Sequence, residues 1–382
     1  MTPVQASAAT LALPAAPFLI EGLGVATLAL HFLFMNVALG GTLLAAVYAV
    51  KGKERHLQAA FGLARALPFA MAYAIAFGVA PLLFVQALYG RFFYTAAILM
   101  APLFLAIVPA LVAAYSAVYF LAWRWDRLKW GRLAALAVVF IALCYVGFVQ
   151  ANVFTLMCDP AHFREMYLSR PGGFHLNGSE ITIMPRFLHV IFGAMAVASL
   201  FVAMQGLRKL KFDPEQGRWQ YRSGATWFAF CTIANMAVGS WWLMDLPPVE
   251  RALFMGGDAW ATAAFGAALL LAVASLILSV AAIGSPKPGR IFAFAASATV
   301  LTVLCMAFMR AVLRDSMLRP FYGTPDAQAQ FQWWAAALFA AVFIAGIGVM
   351  AYLGKLAIKA FPRREGPPLG SGGYRIGPTR RD

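Results

Sequence analysis

Long apolar runs alternate with short polar connections from one end of this chain to the other. Nine runs have the length a membrane-crossing helix needs, about 20 residues for a hydrocarbon core of roughly 30 Å. They occupy approximately residues 18–50, 66–90, 92–122, 133–157, 184–207, 224–246, 259–283, 291–315 and 332–358. The pattern predicts an all-α, polytopic membrane helical bundle of about nine transmembrane helices. The first run is too long for a perpendicular span, so it is expected to tilt or to begin as an interfacial segment. Edges read this way are uncertain by several residues.

The polar connections are not equivalent. Most of the 30 lysines and arginines fall in the alternate connections 51–65, 123–132, 208–222 and 285–290 and in the tail from residue 355. The positive-inside rule places those segments in the cytoplasm, with the N-terminus outside and the C-terminus inside. A net charge of +15 would suggest a nucleic-acid partner in a soluble protein. Here the charge sits in short juxtamembrane loops suited to anionic headgroups of the lipid bilayer, so no nucleic acid is expected.

Composition agrees with the pattern: 62% of residues are hydrophobic and 12% charged, a balance a water-soluble domain of this size cannot accommodate. The longest connection, about residues 158–183, is too short to fold alone. Residues 1–361 are therefore expected to form a single transmembrane domain. Residues 362–382, rich in Pro, Gly and Arg, read as a disordered cytoplasmic tail. Residues 1–17 lack a basic segment, and Glu21 interrupts the apolar run that follows, so no cleaved signal peptide is expected.

Of four cysteines, Cys144, Cys231 and Cys305 lie within spans and Cys158 stands in an outer loop, which suggests neither disulfides nor a paired-thiol metal site. C-x-x-C-H, the signature of covalent haem attachment, is absent. The stretch Cys158-Asp-Pro-Ala-His162 has the wrong spacing and one thiol, so it reads as a loop.

Ionisable residues inside spans are costly and mark candidate function. His31, in Leu30-His-Phe-Leu-Phe-Met-Asn36, and His189, in Pro185-Arg-Phe-Leu-His189, are the two histidines within spans, and the topology puts both toward the outer face. Two neutral imidazoles in apolar, aromatic surroundings suit axial ligation of haem iron; the competing reading for each is a hydrogen-bonded bundle histidine. Arg186, Arg310, Arg314 and Arg319 gather at outer helix ends, where the positive-inside rule disfavours them unless an anion holds them. Haem propionates are such anions, and Asp315 and Glu21 are protein alternatives at similar depth. Arg310 and Arg314, four residues apart, share one helix face. Most of the 16 methionines are packing residues. Met236, in the outer half of the sixth run, is a candidate thioether ligand, with Met255 and Met309 behind it.

These segments together resemble a known family. Leu30-His31-Phe-Leu-Phe-Met-Asn-Val-Ala-Leu-Gly-Gly41 looks like the first helix of subunit I of the cytochrome bd oxidases, in which a histidine in that setting ligates one haem of the high-spin pair. Phe77-Gly78-Val79-Ala80, continuing to Gln86 and Phe92-Phe93-Tyr94, is similar to the family's second helix. Phe187-Leu188-His189 matches the position of the histidine on low-spin haem b, and Arg222-Ser223 fits the approach to the sixth helix. The resemblance covers roughly the first 315 residues. It implies one to three haems b held by His31 and His189, with Met236, Arg186, Arg310 and Arg314 as further cofactor-binding residues. It also implies a sister membrane subunit, quinone as a possible exchange partner, and residence in a bacterial or archaeal cytoplasmic membrane.

The sequence departs from the family in four places. The outer loop that carries quinol-binding residues shrinks to about Asp245–Asp258. The run 92–122 holds no carboxylate, where the oxidases place proton-handling glutamates. The G-R-Q-P stretch with its haem-ligating glutamate is replaced by Met309-Arg310-Ala-Val-Leu-Arg314-Asp315. The seventh run lacks the ligating methionine, so Met236 or Met255 would substitute. The expectation is a divergent subunit that binds haem b near the outer face and exchanges electrons with an extracytoplasmic cytochrome c or a sister subunit. A terminal oxidase that still reduces oxygen and a cofactor-free transporter or structural subunit are the alternatives; no internal duplication of the transporter type stands out.

Overall fold

The computed structural model describes residues 13–170, 172–178, 180–321 and 331–360. The expected tail at 362–382 lies outside the described residues. In chain order the helices are α1 Pro17–Lys51, α2 Glu54–Leu99, the short α3 Ala101–Leu105, α4 Ile107–Leu128, α5 Gly131–Leu156, the short α6 Phe163–Ser169, α7 Ile183–Lys209, α8 Pro214–Asp245, the short α9 Pro248–Ala252, α10 Ala259–Gly284, α11 Pro288–Leu318 and α12 Trp333–Ala360. Among the described residues, nine helices are long and apolar enough to cross a membrane, α3 and α4 together forming one span.

One boundary moves. Residues 92–99 extend α2, and the third span begins at Ala101 instead of 92. Arg91 does not break the helix, because its guanidinium donates to the Phe321 carbonyl (2.8 Å) and lies over the Phe92 ring. The break falls at Met100 (φ −110°), just before Pro102, which lacks an N–H and is accommodated in the first turn of a helix. The 46-residue α2 carries Pro68 and Pro81 internally and departs from helical angles at Tyr89 (φ −128°, ψ 27°). α1 runs unbroken for 35 residues.

In lipid, helices associate through close packing rather than through exclusion of water, so small residues mark their crossings. A β-carbon on Gly40 would lie 2.1 Å from the Ala194 carbonyl oxygen, which makes this the point where α1 and α7 touch backbone to backbone. α7 and α8 meet the same way at Gly224, where a β-carbon would lie 2.5 Å from the Ala203 amide nitrogen. Two apolar clusters fill the bundle. One, toward the basic connections, holds Tyr48, Leu63, Trp125 and Leu136; the other, toward the opposite end, holds Tyr89, Phe93, Val153 and Met157. Many large apolar side chains face outward, as a lipid-solvated surface requires. α12 packs on α2 through the Tyr73 hydroxyl, which donates to the Met350 carbonyl (2.6 Å), and through Phe84 and Phe339.

Candidate functional site

His31 lies near the middle of α1, about 21 Å along the helix from Pro17 at 1.5 Å per residue. Its Nδ1 is 2.7 Å from the Ala74 carbonyl of α2. A carbonyl only accepts, so Nδ1 carries the proton and, in the neutral ring, Nε2 keeps its lone pair. The imidazole fits because α2 presents a glycine opposite: a β-carbon on Gly78 would stand 2.7 Å from His31 Nδ1.

His31 borders a cavity of about 470 Å³ lined by residues of α1, α2, α3, α4, α5, α7, α8 and α11, with mostly apolar walls. Polar groups collect on part of its lining. Arg186, Arg310 and Arg314 all border it, so the shared face expected of Arg310 and Arg314 is the cavity face. Their partners differ. Arg314 donates to the Asp315 carboxylate (3.0 and 3.2 Å) and stacks on Tyr89. Arg310 lies over the rings of Phe154 (4.8 Å) and Phe32 (6.0 Å), and no carboxylate pairs with it among the described residues. Arg186 is buried over Trp242 (4.9 Å), with one long hydrogen bond to Thr182 Oγ1 (3.4 Å) and its Nε unpartnered. Trp242 Nε1 and Gln150 Oε1, whose residues border the same cavity, are also buried without partners.

Cys158 and Trp242 were not legible in the sequence as part of this lining, and Glu21 was legible only as an acid at similar depth. Glu21 borders the cavity and lies 3.0 Å from the Tyr89 hydroxyl, which donates to Asp315. A carboxylate thus reaches the cavity from α1, with Asp315 of α11 behind it through Tyr89 and Arg314, although the third span carries none. Cys158, read as a loop residue, also borders it, and burial pushes its thiol up to about 11 against the lowering influence of the three arginines. Trp242 joins the wall from α8. Each comes from an element distant in sequence; the only linear signal was the acid inside the first apolar run.

His189 does not border this cavity. It sits on the second turn of α7 and faces α8, its Nδ1 3.2 Å from the Asn235 carbonyl, so that Nδ1 is again the donor and Nε2 keeps its lone pair. Gly239 makes room for the ring, since a β-carbon there would lie 3.0 Å from His189 Cε1. Trp242, a wall of the His31 cavity, stands 5.7 Å from the His189 ring, and Asn235 Oδ1 nearby is buried without a partner. Asn235, Gly239 and Trp242 form the α8 stripe toward His189. Half-buried Met236 follows Asn235, about 100° round the helix from it. Met255 is 59% exposed in the turn after α9, Met309 packs with Leu313 and Phe254, and Arg319 is exposed at the end of α11, off the cavity.

In the connection between α5 and α7, His162 bonds the Asp159 carboxylate (2.7 Å), which holds its imidazole above the ordinary histidine value; the pair is local and exposed. Among the described residues no three His, Cys, Asp or Glu side chains converge as they would round a metal ion.

Fold and site together define a multi-pass helical membrane protein with a bd-oxidase-like architecture. The solved structure of bd oxidase from Geobacillus thermodenitrificans superposes with a TM-score of 0.71 over 91% of this chain and 100% of that one, at 13% identity. Identity at that level establishes the likeness of fold alone. No protein-family profile and no curated protein sequence matches the chain.

Proposed function

We propose that this chain is a haem b-binding integral membrane subunit of a bd-like respiratory redox complex, exchanging electrons near the outer membrane face with a partner subunit or an extracytoplasmic cytochrome c. The observation that carries the reading is His31: an imidazole with Nδ1 fixed by a backbone carbonyl and, among the described residues, no partner on Nε2, on the wall of an apolar cavity also bordered by Arg186 and Arg310, which no carboxylate pairs among those residues.

The residues suit haem b on three physical grounds. Histidines that ligate iron usually donate their other ring nitrogen to a carbonyl or carboxylate, as both His31 and His189 do. A porphyrin needs an apolar slot, and the cavity supplies aromatic and aliphatic walls. Its propionates need donors, and among the described residues Arg186 Nε and Trp242 Nε1 are donors without an acceptor, while Arg310 has no carboxylate partner. His31 and His189 would serve as axial ligands, Arg186 and Arg310 as propionate partners, and Arg314 less directly because Asp315 engages it. Met236 remains the proposed thioether donor, although it lies about 100° round α8 from the Asn235 face that meets His189.

When bound, haem supplies a one-electron couple. The protein's part is to orient each imidazole through its carbonyl, to exclude water with apolar walls, and to set positive charge beside the site. Cations fixed beside the site and a low local dielectric would favour the reduced form of that couple over the oxidised, electron-accepting one. The N-terminus-out, C-terminus-in orientation and residence in a bacterial or archaeal inner membrane complete this proposal, with a sister membrane subunit as the expected assembly partner and quinone as a further exchange partner.

Glu21, Tyr89 and Asp315 favour a second reading, a terminal oxidase. Glu21 borders the cavity, and the Tyr89 hydroxyl links it to Asp315 behind the wall, a chain of acidic and hydroxyl groups of the kind proton-coupled oxygen chemistry at a buried site requires.

A pyridine haemochrome assay on purified wild type, His31→Ala and His189→Ala tests the main reading. The wild type should contain haem b and each variant should lose part of it. A folded, monodisperse wild type without haem would overturn the reading. Oxygen consumption with reduced cytochrome c or quinol, or carbon monoxide binding to the reduced protein, would favour the oxidase.

A further inference from the structure

A second concavity lies at the end of the bundle that carries the basic connections, remote in sequence from His31 and His189. It is an open cleft of about 960 Å³ between the turn joining α1 to α2 and the first turns of α8. The α8 residues that line it, among them Arg218, Arg222, Thr226 and Phe230, recur every three to four positions and so form one face of that helix.

The rim is cationic. Lys51, Arg55, Arg218 and Arg222 line the cleft against one acid, Glu215, and no ion pair engages any of the four among the described residues. Such like charges repel unless an anion is shared. Two are held in place by aromatic faces, Lys51 over Trp227 (5.8 Å) and Arg55 over Trp219 (5.3 Å). His56 also lines the cleft, is 8% exposed, meets Trp219 at 4.7 Å, and leaves Nδ1 without a hydrogen bond.

Fixed contacts hold the walls. The Gln216 side chain donates to the Arg55 carbonyl (2.9 Å), and the Tyr48 and Ser223 hydroxyls bond each other (2.9 Å). Toward the membrane the lining turns apolar at Trp227 and Phe230. The start of α8, capped by Asp213, adds the positive end of a 32-residue helix dipole.

We propose that this cleft binds the phosphate group of an acidic phospholipid, with Lys51, Arg55, Arg218 and Arg222 contacting the phosphate and the first acyl carbons lying on Trp227 and Phe230. The gradation from cations through tryptophan to phenylalanine matches an amphiphile at the membrane surface. The recognised chemistry is a phosphate anion, which a lipid headgroup or a soluble phosphate could supply; the apolar inner wall favours the lipid.

The test is native mass spectrometry of the full-length protein, stripped of lipid in detergent and offered phosphatidylglycerol or phosphatidylcholine, with thermal unfolding in inorganic phosphate as a parallel arm. Wild type should retain phosphatidylglycerol preferentially, and R218Q/R222Q should weaken that preference about fivefold for each cation neutralised. R218K/R222K should preserve much of it, and both variants should remain monodisperse with wild-type unfolding temperatures, since the altered side chains are exposed. Equal retention of the two lipids by wild type, or undiminished preference in R218Q/R222Q, overturns the lipid site. Saturable stabilisation by inorganic phosphate that R218Q/R222Q abolishes, without lipid preference, assigns the cleft to a soluble phosphate and likewise overturns it.

Discussion

The Nδ1 of His31 lies 2.7 Å from the carbonyl oxygen of Ala74, and that one contact fixes the tautomer and the direction of the ring. The nitrogen left with a lone pair belongs to a side chain on the cavity wall. The contact depends on Gly78, one turn along α2 from Ala74.

Gly78→Ala is therefore the gentlest way to disturb the site. The added methyl would overlap His31 and force the ring from its carbonyl, at about 1–3 kcal/mol. We expect most of the haem signal associated with His31 to be lost while the protein still folds. Gly22→Ala, which meets nothing within 4 Å, should leave the spectrum unchanged. Difference spectra of both variants provide the check.

Arg310 and Arg314 share a face but should respond oppositely to neutralisation. Arg314→Gln leaves Asp315 without its cation beside Glu21, and thermal unfolding of the haem-free protein should show a loss of about 1–3 kcal/mol. Arg310→Gln removes a charge that no carboxylate balances among the described residues, so the haem-free protein should be at least as stable as wild type. Haem retention should fall in Arg310→Gln, and equal destabilisation of the two haem-free variants would contradict the assignment.

Burial raises the Cys158 thiol to about 11, so the thiolate is scarce at neutral pH. Maleimide labelling of the folded protein should be slow near pH 7 and rise about tenfold per pH unit up to the thiol's own value, because only the thiolate reacts. Unfolding in detergent should restore the ordinary rate. Mass spectrometry of the peptide carrying Cys158 reads both.

Gly40→Val tests the helix crossing. The Ala194 backbone occupies the space a side chain would need, so α1 and α7 would have to separate, which also displaces His31 from its setting. Overpacking of this kind costs about 1–3 kcal/mol or more. Reduced yield of folded protein in size exclusion is the expected outcome.

Topology is testable with single cysteines in a background whose four native cysteines are replaced by alanine. Lys53→Cys in the α1–α2 turn and Gly178→Cys before α7 occupy exposed positions on connections of opposite sign. An impermeant maleimide applied to intact cells should label Gly178→Cys and spare Lys53→Cys; the reverse would invert the orientation.

The membrane class and the nine spans were determined by the sequence itself, because hydrocarbon demands about 20 apolar residues per crossing and that demand is local. Hydropathy could not place the boundary at Met100, because apolar residues continue on both sides of it, nor the starts of α2 and α8, because their first turns are polar although helical. His31 and His189 were equally legible, since an imidazole inside an apolar run stands out whatever surrounds it. Their separation was not: only the packing of α7 on α8 turns His189 toward Asn235 and away from the cavity that His31 borders. Tertiary structure also distinguished Arg314, which has Asp315, from Arg310, which among the described residues lies over aromatic rings with no carboxylate. The same packing brought Glu21, Cys158 and Trp242 to one wall. The physical reason is that partition into lipid depends on each segment alone, whereas a site depends on which face each helix presents to its neighbours.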